Sequence, residues 1–87
     1  MLEKIKTALR ITHDYLDAEI QDSIDAAVMS MKAHGVDALS NENDPLILNA
    51  IKLYAKWQFD YMGKAERWEK AWNAAIVLLA LCGDYDE

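Results

Sequence analysis

The densest group of side chains capable of chemistry lies near the N-terminus. There His13-Asp14-x-x-Asp17 sets an imidazole beside two carboxylates, with Glu19 close behind. Such a group could ligate a metal or move a proton. A zinc site, however, needs three or four convergent ligands backed by a second layer of hydrogen bonds. The only other histidine, His34, falls at the far end of the same predicted helix. A structural role accounts for all of these residues: Asp14 is a good helix N-cap, and Asp17 and Glu19 place negative charge at the positive end of a helix dipole. We read the group as a helix start and assign no metal ligand.

The remaining candidates for chemistry are thinner. Ser23, Ser30 and Ser40 lack a glycine elbow or an adjacent base, and three glycines are too few and too scattered for a phosphate-binding loop. Cys82 is the only cysteine, which excludes an intrachain disulfide and a multi-cysteine zinc site. Within "IVLLALCG" it reads as a small buried hydrophobe. The carboxylates are spread along the chain, so no catalytic pair stands out. No catalytic residue and no cofactor are assigned, and the chain is expected not to be an enzyme. Trp57, Trp68 and Trp72 could cradle a ligand, but aromatic residues at helical spacing read first as core. Tryptophan and tyrosine also anchor protein interfaces, which makes Trp57, Tyr61, Trp68, Trp72 and Tyr85 the candidate interface residues.

Composition points the same way. The 87 residues suffice for one domain, 1–87, with a modest core. Yet 53% are hydrophobic, above the usual ~45–50%. The surplus implies apolar surface reserved for a partner or for further copies. Fifteen acids against nine bases leave a net charge of −6, which phosphate backbones repel. Lys64, Arg67 and Lys70 are interleaved with Glu66 and Glu69, so no basic recognition helix forms and no sequence-specific nucleic-acid partner is expected. The longest apolar run, Ala74 to Cys82, has nine residues, against the ~20 a membrane span needs. The opening "MLEKIKTAL" is too charged for a signal peptide. A soluble protein made in a cytoplasm, with no membrane partner, is the expectation.

The elements that must position these residues are all helical. The spacing of Leu2, Ile5 and Leu9 predicts a short helix over 2–9. Leu16, Ile20, Ile24, Ala27, Val28 and Met31 predict a long one over 15–34, stopped by Gly35 with Val36 as the apolar residue beyond the cap. "VDALSNEND" reads as a loop pinned by Leu39. Asp44-Pro45 starts a third helix, 45–62, apolar around most of its circumference and therefore central. Gly63 permits a tight reversal into a fourth helix, 65–81, with Trp68, Trp72, Ala75, Ile76 and Leu79 on one face. Gly83 ends it, leaving an acidic tail over 84–87. The short connection makes the last two helices antiparallel. The fold class is all-α, a small bundle of about four helices: a short N-terminal helix, a long second helix and an antiparallel C-terminal pair.

The order of these features resembles the phage head–tail connector (adaptor) family, in its short form from phages and prophages of Gram-positive bacteria. The likeness rests on two stretches. "IKTALRITHDYLDAEIQDSIDAA" runs from a short helix ending in Leu9-Arg10-Ile11, through acids, into an amphipathic helix. "DPLILNAIKLYAKWQFDYMGKAERWEKAW" is a Pro-started helix rich in Ala and aromatics, followed by a charged turn, and the ending "LLALCGDYDE" is similar to the short versions. The resemblance implies a non-enzymatic virion protein at the head–tail junction, assembled in the bacterial host cytoplasm. Its implied partners are copies of itself in a ring, the portal protein, and a downstream connector or tail-completion protein. A ring of acidic subunits would extend the DNA channel with a wall that does not grip passing DNA. Asp17, Asp22 and Asp25 of the acidic second helix are the candidate channel-facing residues. The alternative is an acidic helical regulator that binds a basic partner as a nucleic-acid mimic, which would need its carboxylates gathered on one exposed face.

Overall fold

In the structure, a computed structural model, residues 1–38 and 44–82 are described, Cys82 through its backbone alone. They form four α-helices: α1 (Leu2–Leu9), α2 (Asp17–Ala33), α3 (Pro45–Gln58) and α4 (Ala65–Cys82), with a 3₁₀ turn over Tyr61–Gly63. The all-helical bundle read from the sequence is the observed fold, and no strand occurs among the described residues. Expectations for Leu39, the Cys82 side chain, Gly83, Tyr85 and the tail 84–87 fall outside the described residues.

Each helix end has a local cause. At the end of α1, Arg10 adopts the left-handed conformation (φ 59°, ψ 38°). The Ile11 amide then donates to the Lys6 carbonyl at 2.9 Å and the Arg10 amide to that of Thr7 at 3.1 Å. The end of α2 repeats this closure with a glycine. Gly35 has φ 80°, its amide donates to Lys32, and the Val36 amide donates to Met31 at 2.8 Å. Val36 and Met31 are both buried, completing the hydrophobic contact that accompanies this cap. Helix α3 starts as Asp44-Pro45 predicts, with the Asp44 carboxylate accepting from the Leu46 amide at 2.8 Å.

Two boundaries differ from expectation. Asp14 is not the N-cap of α2. The helix begins at Asp17 behind Leu16, with no side-chain cap, and Asp14 is turned elsewhere. Helix α3 stops at Gln58 rather than 62 because Asp60 and Met62 take positive φ (47° and 58°), ahead of Gly63 at 69°. Three left-handed residues in four make the reversal. Asp60 also closes the start of α4, its carboxylate accepting from the Ala65 amide at 3.0 Å.

The core draws on all four helices: Ile5 and Leu9 of α1, Ile20, Ile24, Ala27 and Met31 of α2, Ile47, Ala50, Ile51 and Ala55 of α3, and Trp72, Ile76 and Leu79 of α4. Helix α3 is central, as its near-continuous apolar surface predicts. Helices α1 and α2 pack on it and on each other, whereas α4 packs on α3 and hardly touches the other two. Helix α3 therefore stands between α4 and the α1–α2 pair. Two outer helices, α2 and α4, each turn a full face to solvent.

Candidate assembly surface

At the corner between α1 and α2, the opening acids do ionic rather than metal chemistry. Lys6 is buried, with only 5% of its side chain exposed, and its ammonium meets Asp14 at 2.9 Å and Asp17 at 2.8 Å. A buried ammonium needs such partners, since desolvation disfavours its charge. Asp17 and then Asp14 hold the Lys6 ammonium above its ordinary value of 10.5. Lys6 in turn holds the Asp14 carboxyl below 3.8. Asp17 Oδ1 is itself shut from solvent and accepts no hydrogen bond of good geometry, so its compensation is ionic, the 2.8 Å contact to Lys6. His13 stays outside this clamp, exposed, accepting from the Tyr15 amide at 3.3 Å. His34 makes a 2.8 Å contact to the Ser30 carbonyl. Among the described residues no three His, Cys, Asp or Glu side chains converge as metal ligands.

This clamp changes the place of Asp17. It faces inward across the corner, two-thirds buried, rather than outward with Asp22 and Asp25, which remain exposed on α2. The cause is Lys6, whose stem lies in the α1 core face and whose charge must be met from α2.

The aromatic candidates divide similarly. Trp72 is core, 3% exposed, and is corrected from an interface anchor to a packing residue. Tyr54, which sequence reasoning did not single out, is the reason. Its ring meets Trp72 edge-on at 4.9 Å and Trp57 edge-on at 5.5 Å, the arrangement aromatic quadrupoles prefer. Trp57, Tyr61 and Trp68 are partly buried. Trp68 Nε1 donates to the Tyr61 carbonyl at 2.9 Å, and the Lys56 ammonium lies 5.3 Å and 4.9 Å from the Tyr61 and Trp68 ring centres. These residues fasten the α3–α4 reversal within one subunit. The turn also presents Met62, 73% exposed.

Among the described residues a longer exposed apolar ridge lies elsewhere, on α4. Taking Trp72 as the inward direction, Glu66, Arg67, Lys70, Ala74, Val77, Leu78 and Leu81 point away from α3, following the 3.6-residue period. The first half of this face is charged. The second half is apolar: Ala74 is exposed, and Val77, Leu78 and Leu81 are 54%, 64% and 80% exposed. With Ile76 and Leu79 buried beneath, the last two turns of α4 are apolar all round. A helix of that kind is ordinarily covered on every side. The signal was present as the uninterrupted run "AAIVLLAL". An apolar run by itself does not say which members a single neighbour will cover.

Helix α2 carries a smaller counterpart. Met29 is 69% exposed, flanked by exposed Ala26 and Ala33 and preceded on the same face by Asp22 and Asp25. Leu46, at the start of α3, is also half exposed.

The described helices include none long and apolar enough to cross a membrane. No curated protein and no solved structure shows a significant match to the chain. The family model described as "Phage connector protein" matches residues 1–86. That match covers all four helices and the faces just described, and the chain belongs to the phage connector protein family.

Proposed function

We propose that this chain is a head–tail connector subunit that assembles with its own copies into a ring beneath the portal. The ring extends the DNA channel and receives the downstream connector or tail-completion protein. The observation that carries this reading is the apolar second half of α4. Exposures of 54%, 64% and 80% at Val77, Leu78 and Leu81 add to about two whole side chains, each worth ~1.5–3 kcal/mol when covered. Contiguous apolar surface of this sort marks a site of association. The net charge of −6 suits a channel wall that lets DNA slide without adhesion.

The acidic-regulator alternative is not favoured by the arrangement of the carboxylates. Asp14 and Asp17 are spent on Lys6, and Glu66 and Glu69 alternate with Lys64, Arg67 and Lys70 on α4. Among the described residues no single exposed face mimics a phosphate track.

Native mass spectrometry of the full chain, alone at high concentration and with the portal ring of the same phage, tests the proposal. The expected result is a multi-copy species, either free or seated on the portal. A strict monomer that ignores the portal throughout would refute it.

A further inference from the structure

We infer that the outward face of α4 in one subunit docks on the outward face of α2 in a second copy of this chain, the two helices running in the same N-to-C sense. The inference deepens the ring reading and rests on it. Both outer faces change character halfway along, and they do so in complementary ways. On α4 the first half offers Arg67 and Lys70, with Glu66 on the same face paired to Lys70, and the second half the exposed Val77, Leu78 and Leu81. On α2 the first half offers Asp22 and Asp25, and the second half Met29 between Ala26 and Ala33, all exposed. A same-sense pairing sets two cations against two carboxylates and apolar against apolar. The opposite sense would lay carboxylates on Leu81 and cations on Met29.

The dimensions permit this. Along the axis Asp25 lies about 6 Å before Met29, and Lys70 about 12 Å before Leu78. The flexible stem of a lysine or arginine spans that difference while covering apolar surface. Ala26 and Ala33 leave grooves beside Met29 into which the ridge of Val77 and Leu81 can pack. The charged residues already make local contacts: Gln21 donates to Asp25 at 3.0 Å, Lys70 meets Glu66 at 3.4 Å, and the Arg67 guanidinium lies 5.5 Å from the Trp68 ring centre. The first two are exposed one-turn contacts, weak and readily exchanged. Because α2 and α4 hardly touch within a subunit, each copy can give one face and accept on the other at the same time. Such contacts are head-to-tail, and they close into a ring when the rotation per subunit allows.

The test uses the full chain in two charge-reversed forms, D22K/D25K and R67E/K70E, followed by sedimentation velocity with and without the portal ring. All four positions are exposed, and thermal melts confirm that each variant folds. Each variant by itself is expected to associate roughly tenfold or more weakly than the unaltered chain, because two attractions become repulsions. An equimolar mixture is expected to recover assembly, since every reversed face then meets a reversed partner. If a reversal prevents folding, D22N/D25N and R67Q/K70Q test the loss alone, since neutral faces regain no attraction on mixing: a smaller weakening in each is expected, and none in either would overturn the pairing. Variants that assemble like the unaltered chain would overturn the pairing and leave the ring reading standing, with Asp22 and Asp25 turned to the channel instead. Loss without recovery on mixing would also overturn the pairing. Failure of the unaltered chain to assemble even on the portal would overturn the ring reading itself.

Discussion

Replacing Val77, Leu78 and Leu81 together by glutamine separates assembly from folding more sharply than any other change. Glutamine keeps helix propensity close to that of leucine and above that of valine. The three side chains touch solvent over 54%, 64% and 80% of their surface. The part covered within the subunit amounts to about one aliphatic side chain, ~1.5–3 kcal/mol, and glutamine's own methylenes keep some of it, so the isolated subunit is expected to lose no more than ~1–2 kcal/mol. At a subunit contact the exposed part, about two whole aliphatic side chains, is worth ~3–6 kcal/mol if fully covered. A ring contact covers less than that, and binding pays orientation and ordering costs that the substitution does not change. Recovering even half of it shifts the dissociation constant by roughly 10- to 100-fold, at ~1.4 kcal/mol per factor of ten. Sedimentation velocity over a concentration series measures the shift, and circular-dichroism melts measure the fold. Undiminished assembly would refute the placement of the contact on α4. A melt lowered by several kcal/mol would refute the claim that these residues are surplus to the subunit core.

Other changes test the subunit itself. Trp72→Ala removes a ring that is 3% exposed and packed against Tyr54, and is expected to cost ~3–5 kcal/mol in chemical denaturation; a loss under 1 kcal/mol would contradict its place in the core. Arg10→Gly relieves a left-handed residue at φ 59° and is expected to raise stability by ~0.5–1 kcal/mol net of glycine's added chain entropy, readable as a higher melting midpoint. Asp44→Ala removes the acceptor 2.8 Å from the Leu46 amide and is expected to cost ~1 kcal/mol. The Asp14 carboxyl is held below 3.8, so its share of stability is present above that value and disappears as the pH falls through its lower folded value. The Lys6 ammonium is held above 10.5, so its share is complete below 10.5 and disappears only as the pH rises past its folded value. Stability of Lys6→Met should therefore fall less steeply on acidification than that of the unaltered chain, and equal acid slopes would show that the clamp contributes nothing.

The helices were legible because their causes are local. Periodicity located all four, and Gly35, Asp44-Pro45 and Gly63 act where their backbone chemistry says they should. What was not legible depends on who meets whom. Asp14 has the side chain of an N-cap, but Lys6 lies eight residues earlier with a buried ammonium to satisfy, and an ionic partner outweighs a cap. The four-residue shortening of α3 arises from left-handed Asp60 and Met62, residue types that give weak warning of such a conformation. Trp72 and Trp68 share a helix face by spacing, yet only Trp72 reaches Tyr54. For the assembly surface, hydrophobic excess was visible in composition, but aromatic residues drew attention because they anchor interfaces elsewhere. Here Trp57, Tyr61, Trp68 and Trp72 are spent on joining α3 to α4, and aliphatic residues of the neighbouring turns carry the exposed ridge.

The division of labour within α4 explains why a surplus of this kind can persist in a small chain. Helix α4 rests almost wholly on α3, so only the side turned toward α3 is covered from within the subunit. A helix serving the fold alone would be polar over the remainder, as its first half is at Glu66, Arg67 and Lys70. The second half departs from that pattern at Ala74, Val77, Leu78 and Leu81 together, one on each step of a continuous ridge. Scattered exposed aliphatics need no explanation; a ridge of four at helical spacing does, since it lowers solubility and adds nothing to the fold. The charge of −6 offsets the first of these costs by keeping free subunits apart. The second is offset only in an assembly, where the ridge acquires a neighbour.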